Sequence, residues 1–541
     1  MEFFNFNNPH LIIAIILSVI NGILLCFVAG KLLQIIQLSG YKIEGYRIWI
    51  KDTKANYVSR LFMLGILSFA AIIVTNAILD GFGDYYSYIG LFFYFYFSIV
   101  FVLNMNQTVQ KTPLSQTKRM NRLILCLFVL CTLITFGLCA LMYKFVPLIK
   151  FGIISLTPPL LLLIVPLAHF IMIPIENYIR KKYIKMAKSK LAKMPNLIKI
   201  GITGSYGKTT TKHILNVMLS SKYNVCMSPH SFNTPMGLTK VVIKYLKENH
   251  TILIAEMGAR NVGDIKYLCD LIQPKHAIIT SVASQHLATF GTLENVAKTK
   301  YELVEAIGDD GIVVFNGESE GAFKLYEKCN KNKLLSGINK ADAFVNITGY
   351  KTSSLGSEFT LNIEGKSVNC KTKLLGKENL EDIALAAALA YKLGVGLDLL
   401  KESIYSLKPL AHRLELSYKN GYTIIDNSFN ASVESSYSSL EVLKNFDGTK
   451  VIITPGIVEL GQKEFEENVS FGRKIAKTCD KVIIVNKTNR EAIKKGLQEE
   501  NFDEQNILLV DTLAKAKEQL TSFAPENSVL LFQNDLPDNY T

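Results

Sequence analysis

A glycine-rich loop is the segment of the chain whose residue types and spacing best indicate chemistry. The segment Gly201-Ile-Thr-Gly-Ser-Tyr-Gly-Lys-Thr-Thr-Thr211 follows the apolar run Leu197–Ile202 and leads into a helical pattern over Lys212–Leu219. In a strand, turn and helix of this kind, backbone N–H groups and the helix N-terminus bind phosphates. Five residues separate Gly201 from Gly207, one more than in the usual Walker A pattern. The context predicts nucleotide binding, with an ordinary turn before a helix as the alternative.

The side chains of this loop have the types that a nucleoside triphosphate site needs. Lys208 supplies a positive charge for the β- and γ-phosphates, and Thr209 supplies a hydroxyl for Mg²⁺. The glycines allow the phosphates to approach the backbone closely. The residues predicted to contact the nucleotide are Gly204, Ser205, Tyr206, Gly207, Lys208, Thr209 and Thr210.

A carboxylate and a histidine follow two further strand-like segments. Glu256 comes directly after Ile252–Ala255, and His286 lies beyond His276–Thr280. Because open α/β sheets place ligand groups at the carboxyl ends of their strands, we interpret Glu256 as a Mg²⁺ ligand beside Thr209. A solvated cap or a salt bridge is the alternative. The residues alone leave His286 open, since a lone histidine is more often structural.

The elements that must position these residues begin after Pro195, where apolar strands alternate with amphipathic helices. This alternation predicts an α/β architecture with a largely parallel sheet. The strand candidates are Ile198–Ile202, Thr251–Ala255, His276–Thr280 and Gly311–Phe315.

The first third of the chain is predicted to be an all-α transmembrane bundle. A bilayer span needs about 20 apolar residues. Basic residues follow the first and third apolar stretches and acidic residues follow the second, which places the N-terminus outside and the C-terminus in the cytosol. The scarcity of ionisable residues within the stretches favours an anchor or a lipid-binding platform over a transport pathway. The five predicted spans are 9–38, 57–79, 85–105, 122–145 and 151–176.

Composition excludes several other classes of protein. The net charge of +13 comes largely from basic residues at the edges of the apolar stretches and just after the last one. We therefore interpret the charge as orientation and contact with membrane lipids, and we expect no nucleic-acid partner. The nine cysteines form no CxxC pair, which argues against a zinc site or a disulfide framework.

Six segments, taken in order, resemble the Mur ligase family, and most of all its members that add D-alanyl-D-alanine to a muramyl tripeptide. The resemblance covers about residues 195–465. It implies a central P-loop ATP-binding domain over 195–408 and a Rossmann-like C-terminal domain over 409–541, which follow the transmembrane domain that the apolar stretches predict over 1–180. The segments are GITGSYGKTTT (201–211), SFNTPMG (231–237), AEMGARNVGDI (255–265), SQHLATFGTLENVAKTKYEL (284–303), GKENLEDIALAAALA (376–390), and HRLE (412–415) followed by IIDNSFNASVESS (424–436).

The resemblance also implies roles for individual residues. Lys208, His286 and Lys300 take catalytic roles, and the Mg²⁺ ligands are Thr209, Glu256, His286 and Lys300. Lys300 corresponds to a lysine that is carbamylated in relatives, with Lys298 as the competing candidate. Asn379 corresponds to an adenine-contacting asparagine, and Arg413 and Asp426 to a pair that closes on the nucleotide. Asn233 and Thr234 correspond to residues that face the muramyl substrate.

Three departures from the family pattern limit what the resemblance implies about the substrate. The family's N-terminal domain for the uridine diphosphate portion has no counterpart, and apolar stretches stand in its place. In the adenine motif, Glu378 replaces a common histidine and Asp382 replaces the second asparagine. The segment Val529–Asp538 lacks the lysine-glycine-serine motif of the D-alanyl-D-alanine-adding members.

The expected function is that of an ATP- and Mg²⁺-dependent, ADP-forming amide ligase of cell-wall (peptidoglycan) precursor metabolism at the cytoplasmic face of the membrane. Its expected partners are ATP, a cell-wall precursor, an amino donor and membrane lipids. Both a lipid-linked and a uridine-diphosphate-linked precursor remain open. The alternatives are an amide ligase for another donor or acceptor, an ATP-driven membrane transporter and an inactive scaffold.

Overall fold

The computed structural model describes residues 9–52, 57–79, 89–106, 113–142, 152–229, 231–283, 287–429, 432–458 and 460–535. The chain divides into two compact units, with the division between Lys181 and Lys182. The first unit is helical, and the second contains two β-sheets.

The first unit is built from long apolar helices. Four of them are long and apolar enough to cross a membrane, over 9–28, 57–78, 118–142 and 152–192, the last including two 3₁₀ turns before the α-helix. A fifth apolar helix is shorter, over 89–104. The helices are α1 (Pro9–Val28), α2 (Gly30–Leu38), α3 (Ile43–Asp52), α4 (Tyr57–Leu79), α5 (Ile89–Asn106), α6 (Lys118–Met142) and α7 (Leu161–Ala192).

Two of the predicted spans differ from these helices. The predicted span 9–38 contains two helices, α1 and α2, which meet at Ala29, and the first of them is long and apolar enough to cross a membrane. The predicted span 85–105 begins in residues 85–88, which lie outside the described residues, and its described part is the short α5. The five-span topology therefore stays a prediction.

Large apolar side chains point outward along these helices. Examples from five different helices are Ile12, Phe62, Phe92, Leu133 and Leu163, which are between 47% and 72% exposed. Contiguous exposed apolar surface of this kind is rare on proteins surrounded by water and is expected on helices that face lipid.

The interior of the helical unit holds an uncharged hydrogen-bond network. The Asn21 amide donates to the Thr135 and Thr157 hydroxyls, at 3.0 and 3.1 Å, and the Tyr94 hydroxyl donates to Asn21 Oδ1 at 2.6 Å. All four side chains are buried. Polar side chains that bond across helices hold apolar helices together where lipid supplies no hydrophobic driving force.

The first sheet of the second unit has nine strands in the order β2-β3-β1-β4-β5-β6-β7-β8-β9. The four predicted strands are confirmed as β1, β3, β4 and β5, and the pairing from β2 to β7 is parallel. The last three strands pair antiparallel, which the sequence pattern did not predict. The strands are β1 (Ile198–Thr203), β2 (Val225–Met227), β3 (Ile252–Glu256), β4 (His276–Ile279), β5 (Val313–Asn316), β6 (Lys333–Ile338), β7 (Val345–Ser353), β8 (Gly356–Ile363) and β9 (Lys366–Thr372).

Helices cover the faces of this sheet, and one of them is almost entirely buried. Every residue of α14 from Asp382 to Ala390 is buried, because its small alanine side chains allow close packing on all sides. The helices are α8 (Lys208–Ser220), α9 (Pro235–Lys240), α10 (Asp264–Ile272), α11 (Leu287–Phe290), α12 (Leu293–Glu305), α13 (Glu320–Lys328), α14 (Lys377–Lys392) and α15 (Leu397–Ser406).

The second sheet has six strands in the order β10-β11-β15-β12-β13-β14, of which only the β10–β11 pair is antiparallel. The predicted division at residue 408 falls between α15 and β10. The elements are β10 (Glu415–Lys419), β11 (Tyr422–Asn427), α16 (Val433–Lys444), β12 (Lys450–Thr454), α17 (Glu464–Ala476), β13 (Lys481–Val485), α18 (Arg490–Glu499), β14 (Ile507–Val510), α19 (Leu513–Phe523) and β15 (Val529–Gln533).

Candidate active site

The strand order of the first sheet brings four chain-distant polar residues together. Strand β1 lies between β3 and β4, and β4 is followed in the sheet by β5. Because these strands are parallel, their carboxyl ends meet at one edge. The residues at these ends are Thr203, Glu256, Thr280 and Asn316.

The glycine-rich loop is fastened to the chain that follows β4. The Ser205 N–H donates to the Ser281 carbonyl at 2.9 Å, and the Tyr206 N–H donates to the Ser281 hydroxyl at 2.8 Å. Gly204 permits this approach, since a Cβ at its position would lie 1.9 Å from Thr280 Oγ1. The loop is therefore held in shape by its neighbours before any nucleotide binds.

Gly207 sets the start of α8. It is the N-cap residue and adopts φ +82°, a left-handed conformation that favours glycine. A Cβ there would also lie 2.7 Å from Asp382 Oδ1 on α14. This position thus needs glycine both for its backbone angle and for its contact with α14.

Lys208 folds back onto its own loop. Its ammonium group donates to the Gly204 and Ser205 carbonyls at 2.7 and 2.8 Å. Burial lowers the pKa of Lys208 to about 8, and the nearby Glu256 carboxylate opposes that shift. The lysine is thus still largely charged at neutral pH and is placed over the loop where phosphates would bind.

Glu256 lies at the centre of a buried polar cluster. Both of its carboxylate oxygens lie 3.1 Å from Thr209 Oγ1, Lys212 Nζ pairs with one oxygen at 3.0 Å, and the Asn233 amide donates to the other at 3.1 Å. Burial alone would raise the pKa of Glu256, but the ammonium groups of Lys212 and Lys208 outweigh it, so that the pKa is lowered. Glu256 is therefore an ionised carboxylate at neutral pH.

The chemistry of this cluster fits Mg²⁺. A carboxylate and a hydroxyl offer the hard oxygen ligands that Mg²⁺ prefers in phosphate-binding sites. Thr209 and Glu256 are already adjacent across two elements of the sheet edge. These two residues would hold the ion, which would neutralise charge on the phosphates.

The two lysines of α12 differ in their surroundings. Lys300 is only 3% exposed, whereas Lys298 is exposed. Burial and the nearby Lys208 charge hold the pKa of Lys300 well below its usual range. The predicted ligand His286 lies outside the described residues.

A cleft opens beside the glycine-rich loop and is bordered by the first turn of α14. Three acidic residues of α14 line it, Glu378 in that first turn and Glu381 and Asp382 in the second. Burial raises the pKa of Glu378 and of Glu381 to about 7 and raises that of Asp382 well above its usual range. Asp382 accepts a hydrogen bond from the Thr211 hydroxyl at 2.6 Å, and Glu381 accepts one from the Asn316 amide at 2.9 Å.

Residues near the second sheet complete the cleft. Arg413 and Phe429 line it, and the guanidinium of Arg413 lies 5.0 Å from the centre of the Phe429 ring. Asn379 also lines it, with its amide donating to the Leu375 carbonyl at 2.7 Å. The cleft is therefore bordered by both sheets of the second unit.

The two residues of the predicted nucleotide-closing pair, Arg413 and Asp426, lie in different surroundings. Asp426 accepts hydrogen bonds from the Ser428 hydroxyl at 2.6 Å and lies 2.7 Å from His412 Nδ1. In the described residues the cleft lining includes Arg413 and leaves Asp426 outside it.

The two predicted substrate residues also differ. Asn233 contacts Glu256, within the candidate metal cluster. Thr234 is the N-cap of α9, where its hydroxyl accepts from the Gly237 N–H at 3.2 Å. That cap is a structural role which the sequence motif did not distinguish from substrate contact.

Sequence reasoning missed three residues of the site. Lys212 forms the buried pair with Glu256, and Glu381 and Asn316 bond to each other at the cleft. A signal for Lys212 was present, since it stands four residues after Lys208 and therefore on the same face of α8. No local pattern links Asn316 to Glu381, because 65 residues separate them.

Comparison with protein families and known proteins agrees with this arrangement. Residues 202–390 match the model of the Mur ligase middle domain. The UDP-N-acetylmuramoyl-tripeptide–D-alanyl-D-alanine ligase of Escherichia coli K12 is 27% identical over 313 residues, which cover 57% of this chain and 69% of that protein. The enzyme of the same name from Bacillus subtilis 168 is 28% identical over 52% of this chain and 60% of its own length.

Solved structures resemble the second unit's fold. MurF ligase from Thermotoga maritima in complex with ADP superimposes with a TM-score of 0.59 at 27% identity, covering 66% of this chain and 80% of that one. MurF from Acinetobacter baumannii superimposes with a TM-score of 0.60 at 23% identity, covering 66% and 77%. The second likeness shows the fold alone.

Proposed function

We propose that the chain is a member of the Mur ligase family and an ATP- and Mg²⁺-dependent, ADP-forming amide ligase acting on a cell-wall precursor. The observation that carries the proposal is the cluster of Lys208, Thr209, Glu256 and Lys212 at one edge of the sheet, beside the polar cleft. The similarity of the chain to the ligases named above also supports the proposal.

The proposed reaction has two steps. A carboxylate oxygen of the precursor attacks the γ-phosphorus of ATP, forming an acyl phosphate and releasing ADP. The nitrogen of an amine then attacks the acyl carbon, a proton leaves the nitrogen, and phosphate departs to give an amide. Most of the work of the protein is positioning and stabilisation of negative charge.

Named residues supply that stabilisation. The loop N–H groups and Lys208 bind the phosphates, and Lys208 moves from the Gly204 and Ser205 carbonyls to the nucleotide. Thr209 and Glu256 hold Mg²⁺, while Lys212 keeps Glu256 ionised and oriented. Arg413 contacts the nucleotide from the side of the second sheet.

A ligation assay tests the proposal. We expect the purified full chain, incubated with ATP, Mg²⁺, candidate precursors and candidate amines, to form ADP, phosphate and an amide product in equal amounts, measured by mass spectrometry. ATP hydrolysis without any amide product, accompanied by solute uptake into proteoliposomes, would favour a transporter. Absence of both hydrolysis and product would favour a scaffold.

We also propose that the chain is a multi-pass membrane protein with its catalytic domains in the cytosol. The exposed apolar side chains of the first unit and its four long apolar helices support this. The last of these helices, α7, carries basic residues in its second half, where Arg180, Lys181 and Lys182 are all exposed. Exposed basic residues next to an apolar helical segment are expected on the cytosolic side of a membrane, where they contact anionic lipids.

A lipid-linked precursor is the substrate form that this architecture favours. Such a substrate is concentrated in the membrane plane, and its pyrophosphate can bind the exposed basic side chains of Arg180, Lys181 and Lys182. The apolar helices stand where the family carries a domain for the uridine diphosphate portion. That domain is not needed for a precursor held by its lipid.

We predict faster turnover of the lipid-linked precursor than of the uridine-diphosphate-linked one by the reconstituted full chain. The measurement is kcat/KM for both forms with ATP, Mg²⁺ and the same amine. Replacing Arg180, Lys181 and Lys182 by glutamine should weaken only the lipid-linked reaction. Equal or better turnover of the uridine-diphosphate-linked form would refute the lipid-linked proposal and leave the amide-ligase proposal standing.

The amino donor is a separate question. Gln533 lies in the segment that lacks the lysine-glycine-serine motif, and its side chain is fully buried. Its amide oxygen accepts from Asn427 at 3.0 Å and from Ser439 at 2.7 Å, and its amide nitrogen donates to Ser436 at 2.9 Å. The Gln533 side chain is therefore fully used in bonds within the protein. We propose that the amino donor is not D-alanyl-D-alanine, and the ligation assay should include other candidate amines.

A further inference from the structure

A small recess lies between α6, α7 and the turn that joins α2 to α3, all of them in the helical unit. Its open space is about 220 Å³ with the mouth included, below the roughly 300 Å³ at which pockets for drug-sized molecules begin. The recess is therefore of a size for one chemical group and not for a nucleotide. Its polar side is formed by Tyr41, Arg119, His169 and Glu176.

The guanidinium of Arg119 presents its N–H groups to this recess. Its central carbon lies 3.7 Å from the centre of the Tyr41 ring, a contact that occupies the flat face of the group and leaves the N–H groups at its edge. Within the described residues its one ion pair is to Glu176, whose Oε2 atom lies 3.9 Å from Nε, beyond hydrogen-bond distance. Because the side chain is also 41% exposed, a ligand can reach these donors.

Arg122 already binds the carboxylate of Glu176. Its Nε and Nη2 atoms donate to the two Glu176 oxygens at 2.6 and 2.9 Å, which forms a bidentate pair between α6 and α7. The Arg119 charge is attracted by Glu176 and repelled by Arg122 and Arg180. Three guanidinium groups thus act on one carboxylate, which leaves the recess with an excess of positive charge.

The backbone at Tyr41 has an uncommon conformation that directs its ring into the recess. Tyr41 has φ +63°, in the left-handed region that a residue with a side chain seldom adopts. Its N–H donates to the Ile36 carbonyl at 2.8 Å, which closes the end of α2. The Tyr41 ring is also stacked on the ring of the buried His169, with the two ring centres 6.4 Å apart. These contacts hold the platform on which Arg119 lies.

The remaining wall of the recess is apolar and is formed by Leu123, Met172 and Ile173. On α7 the large side chain of Phe170 is exposed, as expected where a helix faces lipid, and the exposed Arg180 lies one turn beyond Glu176. The recess thus lies where an apolar helical segment changes to a basic one. Lipid headgroups are found at that border in a membrane.

We propose that the recess binds the phosphate group of a membrane lipid and that Arg119 contacts this phosphate. Arginine forms charge-assisted, bidentate hydrogen bonds with phosphate oxygens, and the apolar wall fits the lipid part next to the phosphate. An anionic phospholipid and the lipid-linked precursor proposed above both carry this group. The inference rests on the proposed membrane location of the helical unit and not on the ligase reaction.

Native mass spectrometry of the full chain in a neutral detergent, without ATP, tests the inference. Single lipid molecules are titrated in, so that no charged membrane surface contributes to binding. We expect phosphatidic acid to be retained and diacylglycerol with the same acyl chains, which lacks the phosphate, to be lost. Tighter binding of a long-chain isoprenoid pyrophosphate than of phosphatidic acid would support the precursor as the source of the phosphate, and equal or weaker binding would support a phospholipid.

Three variants locate the phosphate contact. Arg119→Gln should weaken retention of phosphatidic acid about tenfold or more, because it removes charge-assisted hydrogen bonds. Arg119→Lys keeps the charge without the planar fork and should give an intermediate value. Lys118→Gln is the matched control, since it removes the same charge from an exposed residue of α6 that does not line the recess. This control should change the dissociation constant by about twofold or less.

The outcomes that contradict the inference are distinct from failure of the ligase proposal. Equal retention of phosphatidic acid and diacylglycerol, equal effects of Arg119→Gln and Lys118→Gln, or displacement of the lipid by an equal concentration of inorganic phosphate would overturn it. The ligase proposal would then stand, because no ligation takes place in this experiment. A full chain that stays soluble without detergent or lipid would overturn the membrane location and this inference with it. Thermal unfolding in detergent checks the fold of Arg119→Gln, and Arg119→Lys replaces it in the comparison if it does not fold.

Discussion

Replacing Lys208 by alanine is expected to lower kcat by about 10³-fold or more, because the ammonium group stabilises charge on the phosphoryl group in the transition state. In the structure this group is held over the phosphate loop by the Gly204 and Ser205 carbonyls. The measurement is the steady-state rate of ADP formation by the full chain.

A stability control separates catalysis from folding in this experiment. Lys208→Ala removes bonds to two loop carbonyls and should leave thermal unfolding nearly unchanged. Lys212→Ala should instead destabilise the protein by about 3–5 kcal/mol, since it leaves the buried Glu256 carboxylate without its ion-pair partner. Full turnover by a folded Lys208→Ala variant would refute the assignment of the loop to catalysis.

Replacing Lys300 by alanine is expected to abolish nearly all ligation. We propose that this lysine is carbamylated, so that its amine nitrogen bonds to the carbon of CO₂, a proton leaves, and a carboxylate-like metal ligand results. Its burial on α12 and its lowered pKa favour the neutral amine that reacts with CO₂. Added short carboxylates such as acetate should restore part of the activity.

Lys298 provides the matched control, because it is exposed on the same helix two residues earlier. Lys298→Ala should retain most of the activity. A carbamate signal from carbon-13-labelled bicarbonate, measured by NMR, should be lost in Lys300→Ala and kept in Lys298→Ala. Loss of activity and signal in Lys298→Ala would transfer the role to that residue.

A carbamate on Lys300 would also change the electrostatic interaction between Lys300 and Lys208. Without it, the nearby Lys208 charge disfavours a positive charge on Lys300 and so helps to lower the pKa of Lys300. Conversion of Lys300 to an anion removes that repulsion and adds a negative group near the phosphate lysine. The same change would supply an oxygen ligand for a metal ion.

Local sequence patterns were sufficient to predict an element or the position of a residue wherever the deciding interaction is local or is repeated along one element. The strand, glycine turn and helix from Ile198 to Ser220 are one continuous segment, and Gly207 has the backbone angle that the turn requires. Glu256 is found at the end of its strand, as the apolar run Ile252–Ala255 directly before it predicts. The apolar helices follow from composition alone, since long segments with so few polar side chains must either be buried in protein or be surrounded by lipid.

Patterns failed where a boundary depends on packing. The predicted first span ran from residue 9 to residue 38, but the chain ends one helix at Val28 and starts another at Gly30. The second helix is less apolar than the first, since it contains Lys31, Gln34 and Gln37. The antiparallel strands β7 to β9 were missed for a related reason, because strand direction is set by the connections and partners of each strand.

By itself, the sequence determined the glycine-rich loop, the strand-end carboxylate, the apolar character of the first third and the resemblance to the Mur ligase family. Only the tertiary structure decided which residues share the cleft. It placed Asp382 against Thr211, 171 residues away, brought Glu378 to the cleft, and set Asp426 against His412. It also separated the buried Lys300 from the exposed Lys298. The physical reason is that contacts between distant segments depend on strand order and on which helix face is buried, and neither is written in the residues next to the one in question.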